Sequence, residues 1–154
     1  MMKVRGDVMR ALLLAFVVTC GLVSGAQAQC YLPWDARQDL RPIWLTKACR
    51  YDFPKRDGFA GTPRTIVLKP GTVLDRFGHP GGSFLAPADA SYMGRAIPYD
   101  RLKMPYYRYE VLKPLRVSAG PAAAWFDQPG GGIQYKTSRR ISELVTSGHL
   151  KQVW

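Results

Sequence analysis

Arg64-Thr-Ile-Val-Leu-Lys-Pro-Gly-Thr-Val-Leu-Asp-Arg76 is the stretch on which the fold class turns. Arg64–Leu68 is β-branched and apolar, and Thr72–Arg76 runs back in the same style. Between them Lys69-Pro70-Gly71 offers Pro at i+1 and Gly at i+2 of a type II turn, so the stretch reads as a hairpin. Outward from it the grammar is again that of short strands. Gly78–Pro87 reads as a loop containing Pro80, Gly81 and Gly82. Tyr106–Leu112 alternates, with Tyr107, Tyr109 and Val111 on one face and Tyr106, Arg108 and Glu110 on the other, as a half-buried strand does. Pro114–Val117 supplies a further strand, and the turn Asp127-Gln-Pro-Gly-Gly-Gly132 precedes another at Ile133–Lys136. Ser138–Ser147 predicts a helix with Ile141, Leu144 and Val145 inward and Gly148 as its stop. Arg139 and Arg140 in its first turn oppose the helix dipole. Residues 149–154 supply a last strand.

Fifteen Gly and twelve Pro among 154 residues are too many turn-formers for a helical bundle. The length suits one domain. The expected class is α+β: a small, mostly antiparallel, curled β-sheet pair with a disulfide-linked N-terminal cap and one late helix.

The first 28 residues read as a secretory signal peptide. Lys3, Arg5 and Arg10 make a positive start, Ala11–Val23 an apolar run, and Ala26-Gln27-Ala28 an A-x-A cleavage site. The run is shorter than the roughly 20 residues that span a bilayer, which excludes a membrane anchor and leaves a secreted or periplasmic chain with no membrane contact after cleavage. Cleavage removes Cys20 and leaves Cys30 and Cys49, which in an exported chain read as one structural disulfide. The expected organisation is 1–28 signal peptide, 29–56 disulfide-containing cap and 57–154 catalytic domain. From 22 basic and 11 acidic residues, loss of Lys3, Arg5, Arg10 and Asp7 leaves a net charge of +9, which favours anionic partners.

His79 and His149 stand about seventy residues apart with no ligand cluster near either, so a metal site is not expected. No Gly-x-Ser-x-Gly surrounds any serine. Asp75, Asp89, Asp100, Glu110, Asp127 and Glu143 are scattered singly, and none is nominated as half of a carboxylate pair. What remains is arginine and aromatic residues beside glycine-rich loops. Arg76 and Phe77 sit where a strand ends, with Arg matched to phosphate oxygens and the aromatic able to stack on a ring; Asp75–Arg76 as a local ion pair, with Phe77 in the core, is the plainer reading. Trp125, Phe126, Gly131 and Gly132 belong to a loop that is either a backbone nest close to a ligand or a flexible turn.

Gly58-Phe-Ala-Gly-Thr-Pro63, Leu68-Lys-Pro-Gly-Thr72, Leu74-Asp-Arg-Phe-Gly78, Gly82-Ser-Phe-Leu-Ala-Pro87, Arg95-Ala-Ile-Pro98, Pro105–Val111 and Trp125–Gln134 come in the order of one family. Together they resemble the tuberculosis necrotizing toxin (TNT) domain family over about residues 57–153. The resemblance implies a glycohydrolase that cleaves the nicotinamide–ribose bond of NAD+ or NADP+, with the dinucleotide as substrate, no cofactor and no metal. It implies Gln134 and Arg95 as catalytic, Arg76 as substrate-binding and Phe84 as lining the nicotinamide end; Phe77, Trp125, Phe126, Gly131 and Gly132 complete the substrate-binding candidates on the residues' own chemistry. Where some members carry a histidine, this chain has Tyr106 or Tyr107. An immunity protein is the implied macromolecular partner. Two alternatives stand beside this reading. One is an ADP-ribosyltransferase, although no Glu-x-Glu or Gln-x-Glu is present. The other is a non-catalytic basic binder of nucleic acid or a polyanionic surface, although no RNA-binding signature is present and nucleic acid is not expected.

Overall fold

The computed structural model describes residues 30–154, so the signal peptide expected at 1–28 lies outside the described residues. Seven strands form in chain order: β1 Arg64–Leu68, β2 Val73–Phe77, β3 Phe84–Pro87, β4 Tyr106–Val111, β5 Leu115–Pro121, β6 Ile133–Lys136 and β7 Leu150–Gln152. One helix, α1 (Ile141–Thr146), precedes β7. The strands make one sheet in the order β1-β5-β6-β3-β2-β4-β7, with every pairing antiparallel. The expected pair of sheets is therefore a single sheet. Its two wings are joined by β3, which pairs Phe84 and Leu85 with β6 and Ala86 and Pro87 with β2.

The turn on which the fold was read is present, but the hairpin is not. Thr72 N–H donates to Lys69 O at 3.1 Å, and Gly71 has the positive φ (85°) that a type II turn needs at i+2. A type II turn splays its flanking strands, whereas the I′ and II′ turns of tight hairpins match strand twist. β1 accordingly leaves to pair with β5, from Arg64↔Ala119 to Leu68↔Leu115, and β2 inserts between β3 and β4. The predicted loop 78–87 ends early for a related reason, because Phe84–Pro87 is the strand that bridges the wings.

Tyr109 and Val111 of β4 are fully buried, as the alternation requires. They pack with Leu68, Leu74, Leu85, Leu115, Val117, Ile141, Leu144 and Leu150, so both wings and the helix share one core. The helix is shorter than its periodicity suggests. Thr137 turns the chain, its N–H donating to Ser83 O and its hydroxyl to Arg139 O, and Arg140 remains extended (φ −65°, ψ 148°). Arg139 and Arg140 thus precede the first turn rather than occupying it. The first amides of α1 are satisfied from across the fold: Ile141 N–H donates to Gly82 O and Ser142 N–H to Pro80 O, both at 2.9 Å.

The segment before β1 carries the Cys30–Cys49 disulfide, with Cα atoms 5.3 Å apart. Its Ala36 and Leu40 form a second small core with Phe126, flanked by Leu32, Trp44, Tyr51 and Trp125. Arg37 ties the two parts of this core to the later chain, donating to Phe126 O (2.8 Å) and Ile97 O (3.0 Å). Closing a loop of this size by a disulfide contributes about 3 kcal/mol through the unfolded chain. Cys49→Ser should therefore lower stability by about 2–4 kcal/mol, read as a lower urea midpoint with a slope that rises, since the uncrosslinked unfolded chain exposes more surface. An unchanged midpoint would remove the bridge from the stability account.

Candidate active site

Three neighbouring strands meet at one end of the sheet. Arg76 and Phe77 come from the end of β2, Phe84 from the start of β3 and Gln134 from β6. With Arg95 they line a cleft of about 470 Å³, a size within the roughly 300–1,000 Å³ of small-molecule sites. Phe53, Pro54, Asp57 and Gly58 form one wall, and Ala96, Ile97 and Tyr99 another. Five residues expected at a substrate site from the sequence thus share one cavity.

Neighbouring residues on a strand point to opposite faces, and this separates Asp75 from Arg76. The local Asp75–Arg76 ion pair does not form. Arg76 lies on the core side, where Nε donates to His79 O (2.9 Å) and Nη1 to Phe84 O (2.8 Å). Its guanidinium is held by neutral carbonyls, with no carboxylate pair among the described residues. Burial lowers its pKa below the ordinary arginine value, the phenols of Tyr109 and Tyr99 acting in the opposite sense. Arginine stays charged even so, and a half-buried guanidinium without a carboxylate partner has the chemistry to meet an anion. Gly82 is required for this geometry: a Cβ there would overlap Arg76 Nη2 and lie 2.7 Å from Cζ.

Asp75 instead meets Arg95, which stands twenty residues on in a 3-10 turn at Met93–Arg95. Asp75 Oδ1 is 2.6 Å from Arg95 Nη2, with side-chain exposures of 1% and 10%. Arg95 Cζ also sits 5.1 Å from the Phe77 ring centroid. The charge of Arg95 is thereby offset within the protein, so the two arginines are electrostatically unequal. Arg76 is the open cation of the cleft.

Gln134 donates from Nε2 to Asp57 O at 3.2 Å. With the nitrogen engaged, the amide oxygen is the end left to accept from a hydroxyl or water. Next but one on β6, Lys136 pairs with the Asp57 carboxylate at 2.7 Å and lies 5.9 Å from the Phe84 ring centroid. The loop at 56–58 is therefore pinned to β6 twice. Asp57 itself is held at φ 54°, a left-handed conformation that non-glycine residues adopt at a cost.

The other expected substrate residues lie elsewhere. Phe126 is fully buried in the second core, and Trp125 packs beside Trp44 (centroids 5.1 Å) while donating from Nε1 to Asp52 O. Gly132 abuts Gly94, where a Cβ would come 2.8 Å from Gly94 O, and Gly131 N–H donates to Ala122 O. The rings of Trp125 and Phe126 pack against the disulfide-bearing segment, and Gly132 allows the close approach to Gly94. Tyr106 and Tyr107 do not line the cleft either. Spacing alone did not single out Asp75, Asp57 or the Phe53–Pro54 wall, because their partners are distant in sequence; the one available signal was Gly58 directly after Asp57.

A family model described as tuberculosis necrotizing toxin matches residues 67–153, more than half of the chain. The chain belongs to the tuberculosis necrotizing toxin family. The match spans β2 to β7, and with them Arg76, Phe84, Arg95 and Gln134 of the cleft. The chain is also similar to a curated protein, the conidial surface nicotinamide adenine dinucleotide glycohydrolase nadA of Aspergillus fumigatus, 36% identical over 116 residues. That alignment covers 67% of this chain and 50% of the relative, so the chain spans about half the length of the curated protein it matches. Among solved structures, tuberculosis necrotizing toxin complexed with its immunity factor IFT superposes with a TM-score of 0.57 at 26% identity. The superposition covers 70% of this chain and 65% of that one.

Proposed function

We propose that this protein is a secreted NAD(P)+ glycohydrolase that releases nicotinamide and leaves ADP-ribose. The observation that carries the reading is the convergence of Arg76, Phe77, Phe84, Arg95 and Gln134 on one cleft in a chain of the TNT family. The name of the Aspergillus relative supports the substrate class, and its conidial surface location agrees with export. Among the described residues no helix is long and apolar enough to cross a membrane.

The geometry suits the chemistry. Nicotinamide is a ready leaving group, and its departure makes the ribose oxocarbenium-like, so positioning and electrostatics matter more than a strong nucleophile. Phe84 offers a ring face at the reacting end. Arg76 supplies the positive charge for the pyrophosphate, while Arg95, already offset by Asp75, serves as an oriented donor rather than a second clamp. The Gln134 amide oxygen accepts from a ribose hydroxyl or from the incoming water. Water adds to the ribose carbon as the glycosidic bond breaks, and its surplus proton passes to solvent. The expected disulfide cap and an immunity protein as partner belong to the same proposal, the latter supported by the immunity-factor complex of the solved relative.

The purified chain incubated with NAD+ alone should release one nicotinamide per ADP-ribose formed, followed by chromatography. Release that depends on an added protein or nucleic-acid acceptor would favour the transferase instead, and no release at high enzyme would leave a non-catalytic binder.

A further inference from the structure

In the β2–β4 register Tyr106 lies opposite Phe77, whereas Tyr107 lies opposite Arg76. Strand parity therefore puts Tyr106 on the face of Phe77 and Asp75 and sends Tyr107 to the main core. The Tyr106 hydroxyl donates to Asp75 Oδ2 at 3.0 Å, and the same oxygen accepts Asp89 N–H at 3.1 Å. The other oxygen of Asp75 forms an ion pair with Arg95 Nη2 at 2.6 Å, without the alignment of a hydrogen bond. Phe77 is the floor of the arrangement, its centroid 4.7 Å from that of Tyr106 and 5.1 Å from Arg95 Cζ. Arg95 Nη2 also donates to Ala90 O, while Arg95 Nε is buried with no protein partner.

A buried ion pair is costly to form, and its two charges serve a fold no better than apolar side chains would. Here Asp75 links the Tyr106 hydroxyl and the Asp89 amide on one oxygen to a guanidinium at the cleft wall on the other. We propose that Tyr106 and Asp75 are positioning residues for Arg95, holding its Nη2 so that Nη1, which makes no hydrogen bond among the described residues, is presented to an oxygen of the substrate. This rests on the glycohydrolase reading. Tyr106 acts through Asp75 and touches no substrate. Burial, and then the Asp75 hydrogen bond, raise the Tyr106 phenol above its ordinary pKa, so it remains a donor at neutral pH.

Tyr106→Phe removes the hydroxyl and keeps the ring on Phe77, so it is a gentler probe than Asp75→Asn, which leaves a buried guanidinium unpaired. With NAD+ as substrate, Tyr106→Phe should lower kcat about tenfold, with KM within about twofold and Tm within a few degrees. In an Arg95→Ala background the same change should have no further effect on kcat, because the relay then has nothing to position. Unchanged kcat in the single variant, or full additivity in the double variant, would overturn the proposal. A second readout is independent of turnover: in 15N-labelled protein the held Arg95 guanidinium should give resolved Nη signals that merge in Tyr106→Phe. A wild type that releases no nicotinamide would end the glycohydrolase reading alone, and unaltered Arg95 signals in Tyr106→Phe would then end the relay.

Discussion

Gln134→Ala should lower kcat by about 100-fold or more, with KM for NAD+ little changed. The asymmetry follows from what the side chain has left to offer. Its nitrogen is engaged by Asp57 O, so the oxygen is the free group, and an acceptor gains most when the ribose or the attacking water is most polarised. An interaction made chiefly in the transition state appears in kcat rather than KM. Stability should change by no more than about 1 kcal/mol, since a half-buried side chain loses one neutral hydrogen bond. Lys136 continues to hold Asp57, so the wall at 56–58 stays in place. Gln134→Glu separates position from acceptor strength: it keeps an oxygen at the same reach but loses the donor to Asp57 O. Wild-type turnover by Gln134→Ala would remove this residue from the mechanism.

Elements with a local cause were legible in the sequence. Tyr106–Val111 alternates because one face of β4 is core, and the turn at 69–72 needs Gly71 whatever happens around it. What was not legible is pairing at a distance. Arg64–Leu68 and Val73–Phe77 look like each other's partners, yet the splay of a type II turn sends them to different wings. Phe84–Pro87 is too short and too close to Gly81, Gly82 and Pro80 to announce a strand, and its formation depends on β6, some fifty residues on. The same limit governed the site. The cleft arginines and Gln134 were found through the order of motifs, but Asp75 was assigned to its neighbour rather than to Arg95. Trp125 and Phe126 leave both a ligand nest and a turn open in the sequence, because aromatic residues next to glycines satisfy either purpose. Only the partner decides, and here the partners are Ala36, Leu40 and Trp44 of the disulfide-bearing segment.

Gly82→Ala should cost about 100-fold in kcat/KM although it deletes no functional group. Gly82 lies in the turn that wraps the Arg76 side chain: its own N–H donates to His79 O, and its carbonyl accepts Ile141 N–H. Neither bond needs a glycine, and its φ is not in the left-handed region, so the backbone accepts alanine. The new methyl meets the guanidinium instead, at Nη2 and Cζ. Arg76 must then give up His79 O, Phe84 O or both and swing out of the wall. The displaced cation no longer meets the pyrophosphate at the right place, and the loss should fall mainly on KM. Arg76→Ala should remove the same binding but behave differently on unfolding. It deletes two charge-assisted hydrogen bonds between β2 and the 79–84 connection, so its Tm should drop by several degrees while that of Gly82→Ala moves less. Steady-state kinetics and thermal melts on both variants test this together. Normal KM in Gly82→Ala would mean that the position of Arg76 is not what binds the substrate. A lowered Tm with an unchanged KM in Arg76→Ala would assign Arg76 to the fold rather than to the cleft.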